Sequence, residues 1–352
     1  MHSPEYLLGL STIDPEFKEI LKTTSPCRRL DANTDVAELR QRLRATRKEQ
    51  VEALTALLEE TSFIEEDRQI PVRDGSSITI RIHRPKNPPS GGSPAFVVYH
   101  GGGFCLGGLV NETFLCRQWT ELGGVAVNVD YRLAPEHPFP TGVNDAFDAL
   151  QWTASHVDEL KINPNKGFLV GGISAGANFA SVVSHLYRDE KVSPPLTGVY
   201  LSIPPVIPHQ TVPGKYKSTY LSYEQNKDAP LLDRDLTQIF DSKFFTPSKK
   251  MPSLTKPELY AAKEPSPLAT PVLFESHTDL PPTYFQICGL DPLRDEGFIY
   301  EDLLKESGVE TKTHVYPGLP HAFWAWFPEA KFSQRFVEDC KEGLSWLLGK
   351  SP

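Results

Sequence analysis

The sequence has little of what several protein classes require. Its five cysteines, Cys27, Cys105, Cys116, Cys288 and Cys340, are scattered with no close pair and no CxxC. Neither a disulfide framework nor a thiolate metal knuckle is therefore expected. No apolar run reaches the roughly eighteen residues of a membrane-spanning helix, so no span is expected. The opening residues, Met1-His2-Ser3-Pro4-Glu5, carry no basic stretch followed by an apolar one, and no secretory leader is read there. Basic runs stop at the pairs Arg28-Arg29 and Lys249-Lys250, while 45 acidic residues outnumber 36 basic ones for a formal charge of −9. A polyanion is repelled by that field, which argues against nucleic acid as a partner. No His-Glu-x-x-His and no Asp/His cluster stands at ligand spacing, so no metal is expected. Hydrophobic (39%) and charged (23%) fractions are ordinary. The expectation is a folded cytoplasmic protein, with homo-oligomerisation left open.

What is present changes rhythm along the chain. Residues 1–60 read as amphipathic helix, with Val36, Leu39 and Leu43, then Val51, Leu54, Leu57 and Leu58, at helical spacing. Glu65–Val72, the turn Arg73-Asp74-Gly75 and the alternation Ile78–Ile82 predict an antiparallel hairpin. From Ala95 short apolar runs (Ala95–Tyr99, Val125–Val129, Phe168–Val170, Gly198–Ile203) alternate with helical patterns. Such alternation predicts an α/β fold, a mostly parallel sheet with helices on both faces. The proline-rich stretch 205–262 interrupts it, with Tyr216, Tyr220 and Tyr223 and one helix over about Asp233–Phe245, as a lid or binding wall would. The rhythm resumes over 263–352. The domain reading is thus a core in two parts, 61–204 and 263–352, with a cap from 1–60 and 205–262.

Gly172-Ile173-Ser174-Ala175-Gly176 stands between an expected strand and an expected helix. A strand forced into a helix within two residues exposes the serine Oγ, and its flanks must be small because sheet and helix backbones approach there. An incidental glycine-rich turn is the plain alternative; a phosphate cradle lacks its Gly-Lys-Ser/Thr. His100-Gly101-Gly102-Gly103-Phe104 follows the strand Ala95–Tyr99, and bare backbone N–H groups of that kind suit an oxyanion. The expected donors are Gly101, Gly102 and Ala175, with His100 bracing the loop. No G-x-G-x-x-G register fits, which argues against a dinucleotide site. In the order Ser, acid, His, the base is His321, just past Pro317-Gly318-Leu319-Pro320, and the acid is Asp291 at the end of the strand Thr283–Ile287. Asp295 and Glu296 fall in the next helical turn, as caps. Phe104, Ile173 and Phe323 flank these motifs and are expected to line the substrate pocket, under a roof of Leu7, Leu8, Phe17, Tyr216, Tyr220 and Tyr223.

With these residues placed, the chain resembles the hormone-sensitive-lipase-like family of carboxylesterases, which have the α/β-hydrolase fold. The matching segments are His100–Phe104, Asp130-Tyr131-Arg132-Leu133-Ala134-Pro135-Glu136-His137-Pro138-Phe139-Pro140, Gly172–Gly176, Asp291-Pro292-Leu293-Arg294-Asp295-Glu296-Gly297 and His321-Ala322-Phe323. The resemblance implies a Ser174, His321, Asp291 triad, the oxyanion hole named above, no cofactor, a helical cap and a small ester as substrate. Ile173 and Ala177 depart from the aspartate and glycine usual in the family. Two alternatives stay open: a dehydratase, cyclase or amide-cleaving enzyme of the same fold, and a ligand receptor. The receptor of this family lacks the catalytic histidine that His321 supplies here.

Overall fold

A computed structural model describes residues 2–24, 34–56, 62–245 and 266–349. The chain runs α1 (Pro4–Gly9), α2 (Pro15–Thr23), α3 (Val36–Ala56), β1 (Phe63–Pro71), β2 (Ser77–Pro85), β3 (Ala95–Tyr99), α4 (Thr113–Glu121), β4 (Val125–Asp130), α5 (Thr141–Ser155), β5 (Phe168–Ile173), α6 (Ala175–Asp189) and β6 (Gly198–Ser202). It continues through α7 (Ser222–Gln225), α8 (Arg234–Phe245), β7 (Thr283–Leu290), α9 (Arg294–Glu306), β8 (Thr311–Pro320), α10 (Phe323–Trp326) and α11 (Lys331–Leu347). The strands form one eight-stranded sheet in the order β1-β2-β4-β3-β5-β6-β7-β8. The β1–β2 and β2–β4 pairs are antiparallel and the rest are parallel. This is the α/β-hydrolase fold.

Burial follows from position in the sheet. Every residue of β3, β5 and β6 is buried, because helices cover both faces there. Alternate residues of β3 feed different cores: Val97 and Tyr99 join the side containing Val143, Phe147 and Val182, whereas Phe96 and Val98 join Trp119, Phe336 and Leu344. The helix α4 had no counterpart in the sequence reading. Its buried face of Leu115, Cys116 and Trp119 packs into the second of these cores.

Two parts of the chain fasten onto the core above the sheet. From α3, Arg40 donates through Nε to the Cys105 carbonyl (2.7 Å) and through Nη2 to that of Ala134 (2.8 Å). One turn on, Arg44 donates to the Gly107 carbonyl and pairs with Asp130 at 2.9 Å. The segment between β6 and β7 is held by two neighbouring carboxylates on the first turn of α9. Asp295 Oδ2 accepts the N–H groups of Leu221 and Ser222 (both 2.6 Å), and Glu296 Oε2 accepts those of Val206 and Ile207 (both 2.7 Å). Asp295 and Glu296 were expected to cap their own helix. Their side chains instead reach outward to the segment that follows β6.

Candidate active site

Ser174 sits between the last residue of β5 and the first of α6, at φ 53° and ψ −120°. That conformation costs a non-glycine residue on the order of 1–3 kcal/mol and persists only where the surroundings impose it. They do so here. The Ser174 N–H donates to the Ser202 carbonyl (2.8 Å), and the Ser174 carbonyl accepts from Ala177 (2.8 Å) and Asn178 (3.1 Å). A Cβ on Gly176 would overlap the Tyr99 carbonyl, and one on Gly172 would overlap the Gly176 backbone. The glycines of the motif thus mark a backbone crossing.

Asp291 follows β7 and is 1% exposed. Its Oδ1 accepts the Leu293 N–H at 2.9 Å, and its Oδ2 lies 2.6 Å from His321 Nδ1. The other ring nitrogen, Nε2, lies 2.9 Å from Ser174 Oγ. Three residues up to 147 apart in sequence therefore form one chain of hydrogen bonds. The stretch 317–320, expected as a turn, belongs to β8, which pairs Leu290 with Pro320 past an irregularity in register. His321 follows directly and reaches back over the sheet edge. Sequence reasoning missed Asn226, which donates to the Asp291 carbonyl at 2.9 Å from the segment after β6. It also missed Arg294, fully buried and donating to Asp295, Ser11 and the Gly289 carbonyl beneath that loop.

The glycine loop requires a correction. Gly101 was expected as an oxyanion donor, but its N–H donates to Glu112 Oε1 at 2.9 Å. The N–H groups of Gly102, Gly103 and Ala175 make no hydrogen bond among the described residues. Gly102 (φ 130°) and Gly103 (φ 57°) hold conformations that exclude side chains, and a Cβ on Gly103 would overlap the Phe240 ring from α8. Glu112 is 4% exposed, and burial pushes its carboxyl up to about 7. His100 braces the loop as expected. Its ring stacks on Tyr131 at 4.2 Å, the Tyr131 hydroxyl donates to the His100 carbonyl (2.6 Å), and burial pulls the imidazole down to about 4.

Beside this loop lies an open cleft. Its walls include Phe104, Tyr223, Phe244 and Phe245, with Asn178 and Asp241 among its polar groups. Of the residues expected to bind substrate, Phe104 lines the cleft. Ile173 and Phe323 do not: both are buried in the core on the α11 side, where Phe323 packs edge-on against Tyr316 and Phe336. The expected roof also changes. Tyr223 lines the cleft and Tyr220 donates to Glu296, while Phe17 packs on Phe327 and Phe332, and Leu8 is 49% exposed to solvent.

The other histidines are engaged elsewhere. His185 and His277 pair at 2.9 Å inside the core, and His209 stacks on Tyr223 at the cleft mouth (3.9 Å). His314 converges with Asp339 and Glu342, a grouping the sequence did not suggest, and Lys312 is already paired with Glu342. Among the described residues no helix is long and apolar enough to cross a membrane.

A model of the α/β-hydrolase fold family matches residues 96–325. The chain belongs to this family. Within it, the chain is a carboxylic ester hydrolase of the hormone-sensitive-lipase-like group. An α/β-hydrolase superfamily protein of Schizosaccharomyces pombe is 38% identical over 96% of this chain and 94% of its own length. A versiconal hemiacetal acetate esterase of Dothistroma septosporum is 34% identical, covering 79% of this chain and 80% of that one. Among solved structures, a vibralactone cyclase aligns with a TM-score of 0.84 and 34% identity over 98% of this hydrolase and 97% of the cyclase.

Proposed function

We propose that this hydrolase cleaves short-acyl, small-molecule esters through an acyl-enzyme on Ser174. The observation that carries the reading is the Ser174–His321–Asp291 relay, with contacts of 2.9 and 2.6 Å. His321 Nε2 takes the Oγ proton as Oγ attacks the ester carbonyl. Asp291 holds Nδ1–H and so fixes the tautomer that leaves Nε2 free to accept. The N–H groups of Gly102, Gly103 and Ala175 receive the oxyanion; preorganised donors of this kind are each worth ~10²–10³ in turnover. The imidazolium then protonates the departing alcohol. Water, deprotonated by the same Nε2, attacks the acyl-enzyme and returns Ser174. No step needs a metal or cofactor.

The cleft supports a modest substrate. Phe104, Phe244 and Phe245 shorten the path away from the glycine loop, so rate is expected to fall as the acyl chain lengthens. A fluorophosphonate probe tests the assignment: it should label Ser174, and Ser174→Ala should abolish both labelling and ester cleavage. Normal turnover by the alanine variant would refute the mechanism. A second reading is favoured by the similarity to the vibralactone cyclase. There a hydroxyl of the substrate, in place of water, would receive the acyl group. Full labelling at Ser174 without cleavage of any ester in a panel of graded acyl length would select that reading.

A further inference from the structure

The polar groups of the cleft are mismatched in a way that specifies a ligand. Asp241, half-buried on α8, lines the cleft and has neither a hydrogen bond nor an ion pair with any described residue. Asn178 also lines it and is 1% exposed. Its Nδ2 donates to the carbonyls of Pro205 (2.7 Å) and Ala269 (2.9 Å), which fixes the orientation of the amide and leaves Oδ1 with no partner. Thr237 cannot supply the missing donor, because its hydroxyl is given to the Arg234 carbonyl at 2.6 Å. Asp241 thus lines the cleft without a donor among the described residues, and Asn178 Oδ1 lies buried in the wall, likewise unpartnered. A buried acceptor left unmade costs about 1–3 kcal/mol, and more if charged, so the occupant is expected to bring the protons.

Charge narrows the choice. Glu296, the other carboxyl on the cleft, is driven up by burial while the Val206, Ile207 and Tyr220 donors pull it back down, and those donors occupy both of its oxygens. Asp241 has no such donor among the described residues, and burial alone raises its carboxyl to about 6. The remaining ionisable groups on the wall are His209 and Tyr223, stacked on each other at the mouth; Lys243, the nearest cation along α8, makes no ion pair with Asp241. The aromatic rings around Asp241 add faces that also attract cations.

Position links Asp241 to the chemistry. Asn178 is one helical turn past Ser174, about 6 Å along α6. Phe240, the residue before Asp241, stands over Gly103. We propose that the cleft selects esters carrying a protonated amine a few bonds from the scissile carbonyl, with Asp241 as counter-ion. This rests on the esterase reading above and names its substrate class.

Matched esters test it. One pair places the group on the alcohol, 2-(dimethylamino)ethyl butyrate against 3-methylbutyl butyrate. The other places it on the acyl side, p-nitrophenyl 4-(dimethylamino)butanoate against p-nitrophenyl 5-methylhexanoate. In at least one pair the wild-type enzyme should prefer the amine by about tenfold or more in kcat/KM, the size expected for a hydrogen bond to a charged group. Asp241→Asn should collapse that ratio, and Asp241→Glu should restore part of it. Because each ratio is internal to one protein, partial misfolding does not mimic the result. Preference for the neutral ester in both pairs, or an amine preference that survives in Asp241→Asn, overturns the inference. Failure of the wild-type protein to cleave any of the four would count against the esterase reading itself. Thermal stabilisation by 2-(dimethylamino)ethanol against 3-methylbutanol then decides: a larger shift with the amine, lost in Asp241→Asn, supports the inference, and equal shifts overturn it.

Discussion

On the sheet side of the site, Gly172 and Gly176 leave no room for even a methyl group, and Ser174, His321 and Asp291 are joined by contacts of 2.6–2.9 Å. On the cleft side, Asp241 of α8 and Asn178 of α6 hold polar atoms that nothing in the described protein satisfies. The first wall is over-determined: its backbone crossings and hydrogen bonds admit one geometry. The second is under-determined, with aromatic rings and open acceptors that a ligand must complete. Bond-breaking is thereby separated from selection. A change on the sheet side should scale the rate on every ester alike, whereas one on the cleft side should re-rank them.

The sharpest attempt to break this contrast is Ser174→Ala. It should cost on the order of 10⁶ in kcat on every ester tested. An activity loss confined to some substrates would show that Ser174 selects and does not react. Asp291→Asn comes next, with an expected loss of roughly 10⁴ by holding His321 in the wrong tautomer. That factor should be uniform over a panel of chromogenic esters, with KM little changed. Tyr223→Ala lies on the other wall. It should alter the ratio of kcat/KM between short and long acyl esters by less than about tenfold, in favour of the longer chain. An equal loss on all chain lengths would move Tyr223 to the first class.

The last test concerns Glu112 and is read in stability, not turnover. Its carboxyl binds a proton more tightly in the folded chain (about 7) than its ordinary 4.5. Folding therefore favours the protonated form, and its contribution to stability declines as pH rises from about 4.5 to about 7, then levels. Glu112→Gln keeps an acceptor for the Gly101 N–H but cannot ionise. Its melting temperature should gain on wild type between pH 5 and pH 8, by an amount equivalent to at most about 3 kcal/mol. A Tm difference that is constant over this range would show that Glu112 is not the titrating group.

The sheet-side wall was largely legible in the sequence because its signals are local. A glycine-flanked serine between strand and helix, and an aspartate at a strand end, are set by neighbours along the chain. Ile173 and Phe323 were misread for a related reason: adjacency to a motif in sequence is not adjacency to the substrate. In β5, Leu169 and Ile173 point to the α11 face while Phe168 and Val170 point to the other, so Ile173 enters a core. The reading of Gly101 as a donor rests on its place in a glycine run after a strand, and its competing acceptor lies eleven residues away, past a loop with no periodic pattern. Asn226 and Asp241 lie in a proline-rich segment whose path is set by distant partners, which no local rule reveals.

The pairing of Asp295 and Glu296 with the segment after β6 has a consequence for how such an enzyme can change. The four groups they grip are the main-chain N–H groups of Val206, Ile207, Leu221 and Ser222. Almost any amino acid carries that group; proline alone does not. The core therefore holds this loop by features that substitution barely touches, as a clasp holds a strap whatever its colour. Residues between and beyond the two anchor points are free to vary, and with them the shape and charge of the cleft, while the strap stays buckled. Diversification of ester preference is thus built in as a cheap move, and insertion of proline at position 206, 207, 221 or 222 is the change that would undo it.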